Sequence, residues 1–238
     1  MQALDVVTTS APNQLPFAVG ERLTFRAHAA RMGITGRGAM CIEGPVSVRG
    51  RSVYVLRFDF QAGLGPVKAV DRTESWFDPV AMASLRFHKH ERHPLSRHTE
   101  RIELYPERRR WEAEDGRAGA SPTDAPLDEL SFMYVIRTLP LTPDATYRLD
   151  RHFESDRNPA SVRVVRRETV KTPAGEFRAV LLELRVKDLR RYRGEGVIRI
   201  HLSDDERRLP VRIESTMPII GNAVLTLESA DCGLRTAQ

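Results

Sequence analysis

The chain has 238 residues, 41% of them hydrophobic, and a formal charge of +5 carried by 37 basic and 32 acidic side chains. That is enough apolar material for one large core, yet no run of about 18 apolar residues exists to span a bilayer as a helix. Only Lys68, Lys89, Lys171 and Lys187 are lysine, and the arginines are interleaved with acids, which describes a solvated, salt-bridged surface and not the concentrated basic element of a nucleic-acid binder.

Residues 1–16 are rich in Ser, Thr, Pro and Asn and are expected to form an extended lead, without the charged and apolar regions of a signal peptide. From residue 17 to residue 238 the pattern is that of a single antiparallel β domain. Glu21 to His28 alternates apolar and polar with the period of two that a half-buried strand shows. Gly33 to Gly38 reads as a glycine-punctuated turn, Arg51 to Phe60 as a strand, and Gly63-Leu-Gly-Pro66 as the next break. Val67 to Phe77, Ser84 to His90 and Arg97 to Tyr105 are short strands, with Asp78-Pro79 and His93-Pro94 as turn signals between them. Strands at this spacing predict an antiparallel meander.

A Gly/Ala/Ser/Pro loop over residues 114–126 leads into one helix at 126–139. Asp124 is the expected N-cap, Pro126 suits the first turn, and Asp128 and Glu129 complement the positive end of the dipole. Leu130, Phe132, Met133, Tyr134, Val135 and Ile136 cover nearly every side of this helix, which predicts burial, and the place to bury it is the concave face of a curved sheet. Pro140 and Pro143 end it.

Strands resume at Tyr147 to Glu154, Val162 to Lys171, Phe177 to Val186, a hairpin over Gly196 to Met217, and Asn222 to Glu228. Pro173 and Gly175 mark a tight turn, Pro by its restricted φ and Gly by its access to φ > 0. In the Gly196 to Met217 hairpin, Val197, Arg199 and His201 oppose Ile198, Ile200 and Leu202. Asp204 and Asp205 are expected to bond the backbone of the bend, and Pro210 to open the second arm. The fold class expected is mainly β: a large curved antiparallel sheet or open β-barrel, a meander of about twelve strands, with one buried helix near 126–139.

Four segments carry a resemblance: Leu15-Pro-Phe-Ala-Val-Gly-Glu-Arg-Leu-Thr-Phe25, Glu74-Ser-Trp-Phe-Asp-Pro79, Glu168-Thr-Val-Lys-Thr-Pro-Ala-Gly-Glu-Phe-Arg-Ala179 and Leu202-Ser-Asp-Asp-Glu-Arg-Arg-Leu-Pro-Val-Arg-Ile213. Together they resemble the bacterial domain of unknown function 3108 family over roughly residues 15 to 230. The resemblance implies an exported, periplasmic or envelope protein rich in antiparallel strand, with no established catalytic residues to carry over.

Chemistry is sparse. Cys41 and Cys232 lie near opposite ends of the chain and either staple an early strand to the last one or remain two buried thiols; neither has zinc-type spacing. His88 and His90, two apart on a strand, project from one face, as paired imidazoles on β metal sites do, but the sequence lacks the downstream glutamate and distant third histidine of a cupin-like site. Arg190, Arg191 and Arg193 form a basic cluster at a hairpin end, suited to an acidic partner or a lipid headgroup. Adjacent Asp204 and Asp205 suit turn chemistry better than acid/base catalysis, and no nucleophile elbow is present.

Two readings follow. The first is a non-catalytic envelope protein, a binding or assembly subunit or the holder of an apolar ligand. It requires no cofactor, and its expected partners are a protein in the envelope or at a membrane surface. The alternative is a metal-dependent enzyme on a β scaffold using His88 and His90.

Overall fold

The computed structural model describes residues 5–6, 14–29, 31, 33–65, 67–188, 192, 194–217 and 221–232. Fifteen strands form one sheet: β1 (Asp5–Val6), β2 (Glu21–Ala29), β3 (Ile34–Val48), β4 (Arg51–Leu64), β5 (Val67–Asp78), β6 (Ala83–His93), β7 (Ser96–Tyr105), β8 (Arg110–Ala113), β9 (Ala118–Ala120), β10 (Thr146–Leu149), β11 (Ala160–Thr172), β12 (Gly175–Asp188), β13 (Gly194–Ser203), β14 (Pro210–Met217) and β15 (Gly221–Cys232). Fourteen pair antiparallel, and the two-residue β1 lies parallel along β10. Most of the expected lead, residues 1–16, lies outside the described residues.

The strand order is β1-β10-β11-β12-β13-β14-β15-β2-β3-β4-β5-β6-β7-β8-β9. Two meanders, β2 to β9 and β10 to β15, are joined side by side where β15 pairs with β2. The sheet is therefore open between β9 and β1, its two edge strands, and the segment linking the two meanders laces that opening. The Ser84 N–H donates to the Pro126 carbonyl (2.8 Å), the Leu127 N–H to the Arg151 carbonyl (2.7 Å), and the Phe153 N–H to the Leu127 carbonyl (3.1 Å).

Alternation decides which face is which. On β2, Leu23 and Phe25 are fully buried while Arg22, Arg26 and His28 face solvent, the period that sends successive side chains to opposite faces. The inner face of both meanders supplies one core, including Phe25, Ile42, Leu56 and Phe77 from the first and Val162, Leu182, Ile200 and Val211 from the second. A smaller cluster of Phe87, Ile102, Leu104, Trp111 and Phe153 closes the β6 to β8 end.

The helix α1 (Glu129–Val135) fills this inner face with Leu130, Phe132, Tyr134 and Val135, and a 3-10 turn over Ile136–Thr138 extends it. It is shorter than the expected 126–139, and its N-cap is Asp128 rather than Asp124. The reason is hydrogen-bond allocation: Pro126 and Leu127 already spend backbone groups on Ser84, Arg151 and Phe153, so the cap falls at Asp128 and helical geometry begins at Glu129. Asp128 Oδ1 accepts from the N–H groups of Leu130 and Ser131, each at 2.9 Å, and Ser131 Oγ accepts from the Asp128 N–H at 2.9 Å, a reciprocal cap. Asp124 is exposed, 3.8 Å from Arg109. At the other end Leu139 is extended (φ −65°, ψ 147°), as a residue before proline is driven to be.

Other boundaries move for similar reasons. Gly36 and Gly38 lie inside β3 and not in a turn; at Gly36 the sheet needs the lack of a side chain, since a Cβ there would stand 2.3 Å from the Gln61 carbonyl. Residues 110–120 hold the short β8 and β9 where the sequence reads partly as loop. The strand expected to run to Glu154 ends at Leu149, where the chain turns to meet Leu127 and Asn158 takes over its backbone partners: Asn158 Oδ1 accepts from the His152 N–H and its Nδ2 donates to the His152 and Glu154 carbonyls, all at 2.9 Å. In the β13–β14 pair the register shifts between His201 and Leu202.

Candidate functional site

The most polar part of the interior sits at the two ends of the helix. At the N-terminal end, Asp128 is fully buried. Ser75 Oγ donates to Asp128 Oδ2 at 2.5 Å, and Ser84 Oγ donates to Ser131 Oγ at 2.8 Å. Burial pushes the Asp128 carboxyl above the usual carboxylate range, opposed by the hydrogen bonds from Ser75, Ser131, Ser84 and Leu130. These serines come from β5 and β6, so the network fastens the helix start to the first meander.

At the C-terminal end Arg137 is 0% exposed, the largest fully buried side chain among the described residues. Its Nη1 and Nη2 grip Glu21 Oε1 and Oε2 at 2.7 and 2.8 Å. Nη2 also reaches the carbonyls of Pro16 (3.1 Å) and Arg207 (2.9 Å). The guanidinium lies 5.3 Å from the Phe17 ring centroid and 5.5 Å from that of Tyr134. A bidentate, hydrogen-bonded pair is the arrangement that makes a buried charge tolerable. The adjoining Tyr134 hydroxyl and Arg137 Nε are buried with no hydrogen-bond partner.

The turn between β13 and β14 sits over this end. Asp205 Oδ1 accepts from Ser203 Oγ (2.7 Å) and from the N–H groups of Arg207 and Arg208 (3.1 Å each), which holds Arg208 at φ 46°. So placed, Arg208 Nη1 donates to the carbonyls of Arg137 (2.9 Å) and Leu139, a cation at the negative end of the helical segment. Asp204 instead turns to Arg167 (3.1 Å). Between this turn and residues 141–143 runs an open groove of about 660 Å³ lined by Leu141, Thr142, Pro143, Arg167, Asp204, Asp205, Glu206 and Arg208. Its walls carry both signs of charge.

The residues singled out in the sequence are scattered rather than convergent. His88 is half-buried on β6 with its ring against Trp76 (4.7 Å between centroids); burial, then the charges of Arg86 and Arg101, hold its imidazole below the usual range. His90 is exposed and its Nδ1 lies 3.0 Å from Thr99 Oγ1. They share the outer face, but no third ligand joins them: among the described residues no group of three His, Cys, Asp or Glu stands together as a metal would require. Arg190, Arg191 and Arg193 lie outside the described residues. Pro210 opens β14 and Gly175, at φ 131°, opens β12 after Pro173. Cys41 is a buried free thiol, its pKa raised by burial first and then by Glu43. Cys41 pairs with Arg22 on one side of β2 and Cys232 with Glu21 on the other. Two strand spacings, roughly 9–10 Å, separate their backbones.

Glu21, Arg137 and the Asp128 network did not stand out in sequence. A lone arginine inside an otherwise apolar helical segment is the signal that points to Arg137; its partner, 116 residues away, is visible only in the fold.

These features define a class: a β-barrel-like open antiparallel sheet with its inner face filled by a short helix. Within it, the chain belongs to the family described as protein of unknown function (DUF3108), whose model matches residues 24–228. The fold is similar to the crystal structure of a β-barrel-like protein of the DUF1849 family from Brucella abortus, 10% identical with a TM-score of 0.60, covering 92% of this chain and 99% of that one. A protein with a YmcC-like fold from Bacteroides fragilis is 16% identical with a TM-score of 0.37, covering 91% of this chain and 98% of that one. No curated protein matches the sequence.

Proposed function

We propose that this is a non-catalytic binding or assembly subunit of the bacterial envelope, working as a rigid scaffold and not as a carrier of an apolar ligand. The observation that carries the reading is the filled inner face. Where a carrier keeps an apolar pocket of several hundred Å³, this sheet closes on the side chains of α1 and on a bidentate Arg137–Glu21 pair. The surface left for a partner is the groove beside Leu141 and Asp205 and the charged outer face. The envelope location is supported by the resemblance carried by the quoted sequence segments.

Two measurements test this. A fluorescent apolar reporter such as N-phenyl-1-naphthylamine is expected to show no saturable binding to the folded protein; saturable uptake, lost when Leu130 is enlarged to Trp, would overturn the scaffold reading in favour of a carrier. Photo-crosslinking residues placed at Thr142 and Glu206 in cells of the source organism are expected to give one discrete adduct, absent when the crosslinker stands at exposed Lys171. Equal, diffuse labelling from all three positions would count against a docking groove.

A further inference from the structure

The outer face of the first meander is charge-balanced over most of its height. One cross-strand row reads Arg57, Glu74, His88 and Arg101, with Arg57 bonded to Glu74 at 2.9 Å and to Glu43 at 2.8 Å. The row below it reads Asp59, Arg72 and His90, with Arg72 on Asp59 at 2.6 Å. Below that the balance stops. Arg37 faces Gln61, Gln61 faces Val70, Val70 faces Arg92, and Arg92 faces Arg97. Directly paired residues project from the same face, so these five exposed side chains form one acid-free row across β3 to β7, roughly 19 Å long at the usual strand spacing. The last row before the hairpin ends, His28, Thr35, Gly63 and Lys68, is also free of carboxylates.

The acids nearest this rim belong to the other face and are engaged there. Asp71 holds His93 at 2.8 Å, Glu91 lies 3.2 Å from Lys89, and Glu100 binds Arg117 at 3.0 Å. Lys68, Arg92 and Arg97 form no ion pair among the described residues. At the same rim the chain exposes large apolar side chains: Leu95 at the β6–β7 turn is 100% exposed, Val67 51% and Val70 41%. The opposite rim also exposes valines, Val46 and Val80, but there Arg51 is matched by Asp78 and Glu107, and Arg49 by Glu103.

We infer that the rim formed by the β4–β5 and β6–β7 hairpin ends is a docking surface for an anionic membrane, with Lys68, Arg92 and Arg97 against lipid headgroups and Leu95 and Val67 dipping into the headgroup boundary. Charge complementarity selects an anionic surface, and the apolar tips select a lipid one: a purely anionic polymer offers Leu95 nothing, whereas an interface takes up both kinds of side chain. The inference rests on the scaffold reading above and specifies where that scaffold sits.

The test is co-sedimentation of the full chain with vesicles of phosphatidylglycerol and phosphatidylethanolamine, with phosphatidylcholine vesicles as the uncharged control and heparin as the soluble polyanion. Binding to the anionic vesicles alone, weakened by salt, is expected. The Arg92→Glu/Arg97→Glu variant should bind at least about tenfold more weakly, since each basic residue near such a surface contributes about a fivefold factor. Leu95→Ser should weaken vesicle binding several-fold while leaving heparin binding unchanged. Both sites are exposed, so melting curves should match wild type; if the double charge reversal unfolds, Arg92→Gln/Arg97→Gln serves in its place. No binding to anionic vesicles, or vesicle binding indifferent to Leu95 and competed fully by heparin, would overturn the inference. The groove crosslinks are read separately, so the rim assignment can fail while the scaffold reading stands.

Discussion

Removing one member of the buried Arg137–Glu21 pair is the sharpest test of how the plug is held. In Arg137→Met the Glu21 carboxylate, almost fully buried, loses both of its short bonds, and the carbonyls of Pro16 and Arg207 lose a donor. Breaking a buried ion pair from one side costs about 3–5 kcal/mol, because the remaining charge is stranded in a poor solvent. For a chain of 238 residues, where 1 kcal/mol corresponds to about 2–4 °C, the melting temperature should fall by roughly 6–20 °C. Glu21→Met should fall by a similar amount, leaving the guanidinium with only carbonyl partners. The double variant Glu21→Met/Arg137→Met strands no charge, so its loss should be smaller than the sum of the two single losses by about 2–3 kcal/mol. Urea unfolding of the four proteins, analysed as a double-mutant cycle, measures this directly. Single losses below about 1 kcal/mol, or additivity within about 0.5 kcal/mol, would refute the claim that the pair locks the helix into the sheet.

Three further outcomes follow from the same interior. Tyr134→Phe removes a buried hydroxyl with no partner and should raise stability, by up to roughly 1 kcal/mol; a loss of that size in urea unfolding would mean that the hydroxyl is bonded. Asp128 has its pKa raised on folding, so its contribution is fully present below the unfolded value near 3.8 and is lost as pH rises through the folded value. Stability of wild type minus that of Asp128→Asn should therefore decline with rising pH, and a flat or rising difference would contradict the buried network. His152 behaves oppositely: burial and then the Arg157 charge push it down to about 3, so its contribution is present above pH 6.5 and lost as pH falls toward 3. His152→Gln should flatten the acid limb of the melting-temperature profile, and parallel profiles would show that His152 is solvated.

Much of the fold was legible because a strand with one wet face writes its own pattern. Leu23 and Phe25 against Arg22 and Arg26, or the Pro173 to Gly175 turn, need no distant information, since period and turn chemistry are set by neighbours in sequence. Boundaries were legible only where local signals were unopposed. Gly36 and Gly38 look like turn residues and are strand residues; what demands glycine at Gly36 is the close backbone of β4, and at Gly38 a Cβ would crowd the Phe58 ring. Asp124 has the chemistry of an N-cap, and Asp128 is the cap, because the sheet had already taken the backbone groups of Pro126 and Leu127. The candidate site was less legible still. His88 and His90 had suggestive spacing, but spacing supplies two ligands on one face and cannot supply a third from another strand.

By itself the sequence determined the class of the fold, the presence of one buried helix and the family, all of which depend on local periodicity and short contiguous motifs. Only the tertiary structure decided what surrounds that helix. The Arg137–Glu21 pair spans 116 residues, the Arg208 cap joins the β13–β14 turn to the helix end, and the acid-free rim exists only because β3 to β7 pair in one register. Each depends on which strands become neighbours. That is settled by the burial of a shared core and the closing of distant hydrogen bonds, and these leave no mark within any single stretch of chain.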